Sequence, residues 1–527
     1  MKMARVVVLA MIALACASGG TKTGGTSTTA SPAANTAPST MSAPTTATAP
    51  PRTAIAAPSA PVSRAMLRHA IDSMVTQAEF RNSHFGVLIV DPERGDTLYS
   101  LNAGKLFMPA SNMKIVTGAT SLAKLRPGFW YSTDFGADGT VEHHTLHGDL
   151  IVAGNGDPTI SDHMRGSAMS ALYAVADSLK ARGINAITGS VVMGQEAFPD
   201  TSIGFGWSWD DLGEDYGAGV DGLYFNEGFG TAIARGTPGQ RPDTIETYPA
   251  HSYPIIERRP FRPVIYADTG PLRLDFNPTR TTFIAVGSLR TAADTIVYVY
   301  PNQRDAYLFA LREALVSRGI SVNEQKLGRG DSSRTYFRNG SHLFTIESPR
   351  LREILPALEK PSQNQIAEIL YKTLGRVFTG VGSADSGRVV IERQLAAWGA
   401  APDGYVIRDG SGLSRYDYLS PETIVRVLDK IRADSAFQVF YDALPIAGVD
   451  GSLEHRMRGT AAAGNVHAKT GSVANARSLS GYVTTADHHM LLFSLLANNW
   501  TVKQASVDSV QSRIAVMLAS LNLRDVQ

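Results

Sequence analysis

Ser111 and Lys114 are the first pair of residues whose types and spacing could carry out nucleophilic chemistry. On a helix, positions three apart share a face, so the hydroxyl and the amine can come within hydrogen-bond distance. A serine attacks only if a base takes its proton, and a lysine does so only when its pKa falls from about 10.4 to about 7. Burial and a second cation lower a lysine pKa in this way. The pair predicts a serine nucleophile with a lysine base; a plain helix cap at Ser111 is the alternative.

The same spacing recurs at Ser121 and Lys124, so the pattern alone does not identify the nucleophile. Pro109 and Ala110 place Ser111 at the start of a predicted helix, where backbone N–H groups point outward. Ser121 lies ten residues further along that helix, where such donors are already bonded. We therefore expect Ser111 to be the reactive residue.

Ser362 and Asn364 lie just before a predicted helix over residues 366–377. A hydroxyl and an amide two residues apart at a helix entry can both point into a cleft, although the same residue types also cap helices. The spacing Ser-x-Asn occurs elsewhere in the chain, so this motif by itself is weak evidence.

Lys469, Thr470 and Gly471 fall on a predicted strand over residues 466–473. Alternation puts the Lys469 and Gly471 positions on one face and Thr470 on the other. Glycine weakens a strand and often marks close approach of a ligand or of another backbone segment. Such an edge strand would bind an extended peptide, and the alternative is a solvated lysine. A second Lys-Thr-Gly triplet begins at Lys22, in a low-complexity segment.

The motifs occur in the order Ser-x-x-Lys, Ser-x-Asn, Lys-Thr-Gly, the set found in penicillin-binding proteins and class A β-lactamases. Longer stretches extend the match: Pro109-Ala-Ser-Asn-Met-Lys114, Gly154-Asn-Gly-Asp-Pro158, Trp207-Ser-Trp-Asp-Asp-Leu212, Asp409-Gly-Ser-Gly-Leu-Ser-Arg415 and Ala468-Lys-Thr-Gly-Ser472. From about residue 65 to its end, the sequence resembles the class C, low-molecular-mass penicillin-binding proteins of the D-alanyl-D-alanine carboxypeptidase/endopeptidase type, the peptidase S13 family.

The spacing between the motifs distinguishes the S13 family from the related β-lactamases. Ser111 and Ser362 are about 250 residues apart, a far longer interval than in β-lactamases. The S13 family is known for large domains inserted between these motifs. Gln363 departs from the family pattern, which commonly has aspartate at this position, and the helix surface near it is expected to differ.

The resemblance implies that Ser111 attacks the carbonyl of the penultimate D-alanine and that Lys114 takes its proton. Ser362 and Lys469 would pass a proton to the departing amine, and Lys469 would also keep Lys114 neutral. Asn364 would hold the substrate amide. The implied partners are peptidoglycan stem peptides ending in D-Ala-D-Ala, with β-lactams as covalent inhibitors that leave slowly.

A second group of residues is implied to contact the substrate. It comprises Thr470, Gly471, Ser472, Arg415 and Asp200. The N–H groups of Ser111 and Ser472 would form the oxyanion hole. Thr470 and the strand backbone would bind the peptide. Arg415 would lie near the substrate carboxylate or at the cleft floor, and Asp200 would grip the free amine of a diamino-acid stem peptide.

The N-terminal segment predicts export to the periplasm or cell envelope. Basic residues precede an apolar run over residues 6–14, which is short for a permanent membrane span, so residues 1–17 are predicted to be a signal peptide. Cys16 is either incidental to cleavage or the lipidated first residue of a lipoprotein, and we expect the lipoprotein with its membrane attachment. Residues 18–63 are rich in Ser, Thr, Ala, Pro and Gly and predict a disordered tether.

Elements at the two ends of the folded part would position the motifs on one sheet. Helices are predicted over residues 65–78 and 502–521, and strands over 85–90, 97–101, 466–473, 478–484 and 490–496. With the family resemblance, this order predicts an α/β (α+β) serine β-lactamase/transpeptidase-like fold, an antiparallel sheet flanked by helices. The catalytic domain would comprise residues 64–139 and 340–527, with one or more large, mostly-β insertion domains at 140–339.

Composition narrows the function classes. The 527 residues carry 49 Lys and Arg against 48 Asp and Glu, so no global field would hold nucleic acid. A single cysteine excludes an internal disulfide and a multi-cysteine zinc site. No set of residues predicts a metal or another cofactor. Two alternatives stay open: a serine β-lactamase or esterase on the same scaffold, and a catalytically quiet penicillin-binding scaffold protein.

Overall fold

The described part of the chain begins after the N-terminal segment. The computed structural model describes residues 64–249, 253, 255–257, 270–277, 282–323 and 341–523. The predicted signal peptide, Cys16 and the predicted tether up to residue 63 lie outside these residues. They stay predictions.

Helices and strands follow one another in an order that puts long strands near both ends of the described chain. The helices are α1 (Arg64–Val75), α2 (Met113–Leu125), α3 (Asp162–Arg165), α4 (Ala168–Ala181), α5 (Gln303–Ser317), α6 (Leu351–Glu359), α7 (Asn364–Thr379), α8 (Ala384–Ala397), α9 (Pro421–Arg432), α10 (Phe437–Ala443) and α11 (Gln504–Ala519). Within the described ranges, no helix has the length and apolar character needed to cross a membrane.

Most strands are short, and the longest lie in two separate sheets. The strands are β1 (His84–Asp91), β2 (Asp96–Leu101), β3 (Ser132–Glu142), β4 (Thr145–Gly154), β5 (Ala186–Ile187), β6 (Val191–Met193), β7 (Phe229–Arg235), β8 (Thr244–Tyr248), β9 (Ile255–Glu257), β10 (Arg273–Asn277), β11 (Thr282–Val286), β12 (Ala293–Val299), β13 (Ser321–Val322), β14 (Ser341–Glu347), β15 (Tyr405–Val406), β16 (Tyr418–Leu419), β17 (His467–Val473), β18 (Ala476–Thr484) and β19 (Met490–Asn498). Each predicted terminal strand overlaps one of these.

A five-stranded antiparallel sheet joins the two ends of the described chain, in the order β17-β18-β19-β1-β2. β1 pairs with β19, with Val87 opposite Leu495. All but the first residue of β19 are buried. Both faces of this strand are covered, which explains its largely apolar sequence.

Helices cover both faces of this sheet, and alternate side chains of β19 divide between them. Leu492 and Leu496 pack in the same core as residues of α2, α7 and α9. Leu491, Phe493 and Leu495 pack with α1 and α11 on the opposite face. Each such burial stabilises the fold by about 2 kcal/mol relative to an exposed side chain. The helix α2, directly after Ser111, is thereby fixed against the sheet.

Residues from β3 to β14 form further sheets around an apolar core of their own. One sheet has the order β13-β5-β4-β3-β14 with β6 beside β4, and two three-stranded sheets have the orders β12-β7-β8 and β10-β11-β9. Helices α4 and α5 share the core of the larger sheet. Because β3 and β14 are antiparallel neighbours, the chain enters and leaves this region side by side.

Candidate active site

Ser111 lies in a 3₁₀ turn, Ala110–Asn112, that leads directly into α2. Ala110 has a positive φ of 48°, which is unfavourable for a residue with a Cβ. Two glycines enclose the turn: a Cβ on Gly412 would overlap the Ala110 carbonyl, and a Cβ on Gly471 would lie 2.9 Å from the Ser111 nitrogen. The surrounding backbone therefore holds Ser111 in a fixed position.

Lys114, in the first turn of α2, is fully buried. Its Nζ lies 2.9 Å from Ser111 Oγ, 2.6 Å from Asn364 Oδ1 and 2.9 Å from the carbonyl oxygen of Ser411. The hydroxyl and the amine thus have the hydrogen-bond distance expected from their three-residue spacing. Asn364 and Ser411, which lie about 250 and about 300 positions further along the chain, complete the surroundings of the amine.

The surroundings of Lys114 favour its neutral form. Burial lowers the pKa of its amine to about 7, and the positive charge of Lys469 acts in the same direction. The carboxyl groups of Glu359, Asp409 and Glu368 oppose this shift. A neutral amine can take the proton of a serine hydroxyl, so the structure provides the condition that the chemistry requires.

Asn364 is the first residue of α7 and joins the lysine to the middle of the chain. Its Oδ1 accepts from Lys114, and its Nδ2 donates to the Tyr216 carbonyl at 2.8 Å. Gln363, which departs from the family pattern, caps α7: its Oε1 accepts from the Gln365 N–H at 2.7 Å. The departure therefore preserves the helix entry.

Lys469 lies on β17, an edge strand of the sheet, and is fully buried. Its Nζ donates to the Thr470 carbonyl at 3.0 Å, and its own carbonyl accepts from Asn112 Nδ2 at 2.8 Å. Burial lowers the pKa of Lys469, and Glu359 raises it. The Thr470 hydroxyl lies 2.6 Å from Ser452 Oγ. The hydrogen bond from Asn112 to Lys469 connects the strand to the turn that carries Ser111.

The outer edge of β17 is accessible beside Ser111. The Ala468 N–H donates outward, to the Pro445 carbonyl. Alternate residues of a strand direct their N–H groups to the same side, so the Ser472 N–H points to this edge as well. Ser111 and Ser472 both line one cavity. This arrangement is compatible with the expected oxyanion hole.

A cavity of about 600 Å³ brings most of the predicted site together. It is lined by Ser111, Ser362, Asn364, Arg415, Thr470, Gly471 and Ser472, with further residues that sequence reasoning missed, among them Asp211, Tyr216, Ser452, Arg456 and Trp500. Lys114 reaches the cavity through Ser111 and Asn364. Asp211 belongs to the stretch Trp207 to Leu212, whose resemblance to the family is the sequence signal that could have identified it.

Arg415 lies in the cavity wall, where its charge is balanced. Its Nη2 is 3.3 Å from Asp211 Oδ2, and its Nη1 donates to the Ala474 carbonyl at 3.4 Å. The Tyr216 hydroxyl donates to the other oxygen of Asp211 at 3.0 Å. A cation, a carboxylate and a phenol therefore converge on one side of the cavity.

Asp200 is not among the residues that line this cavity. Its carboxylate binds Lys372 Nζ at 2.5 Å and the Ala384 N–H at 2.7 Å. It lines a separate cavity of about 390 Å³. The structure does not bring it together with the other predicted site residues, and Asp211 is the carboxylate found in their cavity.

Asp409 organises the loop between β15 and β16, which contacts Lys114. Its carboxylate accepts from three loop N–H groups, including those of Ser411 and Gly412, at 2.7–3.1 Å. It also accepts from Trp207 Nε1 at 2.9 Å. Because the Ser411 carbonyl is a partner of Lys114, this carboxylate helps to hold Lys114 in place.

The sequence model of the D-Ala-D-Ala carboxypeptidase 3 (S13) family matches residues 67–521. The chain belongs to this family. The S13 chain is 32% identical over 467 residues to the D-alanyl-D-alanine carboxypeptidase of Actinomadura sp. (strain R39), with 86% of this chain and 84% of that protein covered. The predicted family and the predicted enzyme class, a serine-type D-Ala-D-Ala carboxypeptidase, are confirmed.

Solved structures share the fold. Penicillin binding protein 4 (dacB) from Haemophilus influenzae superposes on the S13 chain with a TM-score of 0.69 at 22% identity, covering 85% of this chain and 99% of that one. The same protein complexed with a β-lactam gives a TM-score of 0.66 at 21% identity, with 86% and 99% covered. The predicted α/β fold, an antiparallel sheet flanked by helices, is confirmed.

The relatives of the S13 chain also indicate where in the cell it is located. They include the D-alanyl-D-alanine carboxypeptidases of two bacteria, Actinomadura sp. (strain R39) and Haemophilus influenzae. This relationship indicates a location in the cell envelope.

Proposed function

We propose that the S13 enzyme removes the terminal D-alanine from peptidoglycan stem peptides through an acyl-enzyme on Ser111. The observation that carries the proposal is the 2.9 Å contact between Ser111 Oγ and the buried amine of Lys114 at the cavity wall. Ser111 Oγ bonds to the carbonyl carbon of the penultimate D-alanine, and the C–N bond to the terminal D-alanine breaks. Water then cleaves the ester, releasing the shortened peptide and restoring the serine.

Lys114 and Lys469 have different roles in proton transfer. Lys114, neutral because it is buried near a second cation, takes the proton of the Ser111 hydroxyl. Ser362 and Lys469 deliver a proton to the departing amine, so that D-alanine leaves as a stable product. Asn364 holds the substrate amide. A β-lactam acylates the same serine, but its leaving group stays tethered to the acyl chain and deacylation is slow.

Substrate recognition uses the open edge of β17 and the charged wall of the cavity. The strand backbone with Thr470, Gly471 and Ser472 binds the extended peptide. Arg415 faces the cavity and supplies a cation for a substrate carboxylate. We assign binding of a free stem-peptide amine to Asp211, because Asp211 lines the cavity that contains Ser111 whereas Asp200 lines a separate one.

We also propose roles for the N-terminal segment and boundaries for the domains. Residues 1–17 serve as an export signal, Cys16 is lipidated after cleavage, and residues 18–63 tether the enzyme to a membrane. Residues 64–139 and 340–527 form the catalytic domain, and residues 140–339 form the insertion. The separate apolar core between β3 and β14 supports this division.

Covalent labelling of the full chain tests the proposed function. The protein is mixed with benzylpenicillin, the adduct is located by tandem mass spectrometry, and D-alanine release is measured with a peptide ending in D-Ala-D-Ala. A lasting adduct on Ser111 together with D-alanine release is expected. Absence of both would overturn the proposal and leave a binding protein, and an adduct lost within seconds without D-alanine release would favour a β-lactamase.

Acylation by benzylpenicillin is expected to accelerate as the pH rises through about 7. Below that pH the amine of Lys114 is protonated and cannot accept the serine proton, whereas above it the free amine is present. The second-order rate constant of acylation, measured from about pH 5 to about pH 8 at constant ionic strength, should show this rise. A flat profile over that range would contradict the role of Lys114.

Gly471→Ala is expected to slow acylation at least about tenfold. A Cβ at this position would lie 2.8 Å from the Pro109 carbonyl oxygen and 2.9 Å from the Ser111 nitrogen, so the reactive turn must move. Small displacements of reacting groups have large effects on rate. The matched control is Gly128→Ala, where a Cβ meets open space. Equal acylation rates in the two variants would contradict the expectation.

A further inference from the structure

Glu359 is a buried acid that no proposed catalytic step uses. It is the last residue of α6 and has no exposed surface. Neither of its carboxylate oxygens has a hydrogen-bond partner among the described residues. A buried carboxylate is costly unless an opposite charge compensates for its lost hydration. The packing around Glu359 identifies that charge.

The Glu359 carboxylate packs against the helix that follows the nucleophile. A Cβ on Gly118 would lie 2.6 Å from Glu359 Oε1, so the missing side chain on α2 leaves the space for the carboxylate. Gly118 lies four residues after Lys114, and helix positions four apart share a face. The carboxylate therefore lies on the side of α2 that also carries the base.

Two buried lysines on different elements interact electrostatically with this carboxylate. Burial raises the pKa of Glu359 to about 7, and the charges of Lys469 on β17 and Lys114 on α2 oppose this rise, so the carboxylate forms as the pH passes through that value. In return, Glu359 is the carboxyl group that favours the charged form of Lys469. Lys114 has two further buried acids around it, Asp409 and Glu368. The electrostatic interaction of Glu359 with Lys469 is therefore stronger than its interaction with Lys114.

Lys360, next to Glu359 in sequence, does not compete for its charge. Its Nζ lies 2.6 Å from Asp450 Oδ2 and donates to the Leu444 carbonyl at 3.1 Å. Because Lys360 is paired with Asp450, the positive charges that act on Glu359 are those of Lys469 and Lys114.

We infer that Glu359 is a positioning residue whose buried carboxylate keeps the proton on Lys469 while Lys114 stays neutral. The inference rests on the proposed function, since it concerns how the same site distributes its protons. One carboxylate can compensate one of two buried cations, and the proposed mechanism needs one charged lysine and one neutral lysine at the same time. Glu359 acts through the lysines and does not touch the substrate.

The pH profile of benzylpenicillin acylation by the full-length Glu359→Gln variant tests this inference. Glutamine keeps the shape of the side chain and removes its charge, so the ammonium forms of both lysines become less stable. Burial lowers the pKa of Lys469 to about 8, so loss of its proton sets an alkaline limb of the profile. This limb is expected to move down by about one pH unit in the variant. The acid limb, set by Lys114, should move down by less because Glu359 acts more strongly on Lys469 than on Lys114.

A matched substitution on the same helix separates charge at the site from charge elsewhere. Glu353→Gln makes the same change in the exposed first turn of α6, where glutamine still accepts from the Arg350 N–H. Both limbs should keep their wild-type positions. Glu359→Asp retains the charge one methylene further back and is expected to move the alkaline limb by less than Glu359→Gln does.

The outcomes distinguish failure of this inference from failure of the proposed function. If the wild type is acylated and folded Glu359→Gln keeps both limbs unchanged, the role of Glu359 is overturned and the proposed function stands. If the wild type takes up no label, the proposed function itself fails. Should Glu359→Gln not fold, as judged by thermal unfolding, Glu359→Met, which also removes the charge at similar volume, decides: an alkaline limb at the wild-type position overturns the inference.

Discussion

Ser111→Ala is expected to abolish covalent labelling by benzylpenicillin and to lower D-alanine release by about 10⁴-fold or more, as removal of a nucleophile does in other serine hydrolases. The variant lacks the oxygen that forms the acyl bond, while the cavity and its charged wall stay in place. Because only one hydroxyl is removed, the free energy of unfolding should change by less than about 1 kcal/mol. Intact-mass spectrometry and an assay of free D-alanine measure the two losses.

The second Ser-x-x-Lys pair in α2 provides a matched control. Ser121 has the same spacing from Lys124 but is fully buried inside the helix, ten residues beyond Ser111. Ser121→Ala should therefore take up label and release D-alanine at the wild-type rate. Label on Ser111→Ala, or its loss from Ser121→Ala, would show that the wrong serine has been identified.

Lys114→Met is expected to slow acylation about a thousandfold, within the range that general base catalysis contributes. Methionine fills the space of the lysine side chain without a group that can accept the serine proton. The acid limb near pH 7 should disappear with it, because the titrating base is gone. Asn364 Oδ1 and the Ser411 carbonyl lose a donor, so stability should fall by about 1–3 kcal/mol.

Lys124→Met is the corresponding control for charge and volume. Lys124 is exposed, with its Nζ 4.7 Å from the centre of the Phe378 ring, and it lies in the last turn of α2, at the opposite end from the turn that carries Ser111. Stopped-flow acylation should proceed at the wild-type rate in this variant. A Lys114→Met enzyme that retains more than about a tenth of the wild-type rate would contradict the assignment of Lys114 as the base.

Local patterns were sufficient to predict the elements that carry the motifs. The sequence predicted strands over residues 466–473 and 490–496, and the structure has β17 and β19 at these places. The predicted helix that starts at Ser111 is α2, although its first turn is 3₁₀ because the enclosed backbone at Ala110 has a positive φ. Short-range preferences decide such elements, so one sequence is enough to locate them.

Residues whose placement depends on packing between distant segments could not be predicted. Residues 140–339 contain several acidic residues, and only the path of the loops decides that Asp211 meets the cavity while Asp200 binds Lys372. Glu359 gave no signal because an acid at a helix end is usually solvated. Its burial depends on the absence of a side chain at Gly118, on another helix.

The pairing of β1 with β19 has a consequence for how the enzyme is made. Strands at opposite ends of the described chain are neighbours, and Met108, three residues before the nucleophile, donates to Asn498 across 390 positions. Contacts of such long sequence separation form slowly, and these cannot form until residue 498 has been synthesised. Ser111 is therefore made well before the strand that completes its surroundings, which delays activity until that strand has been made and has paired.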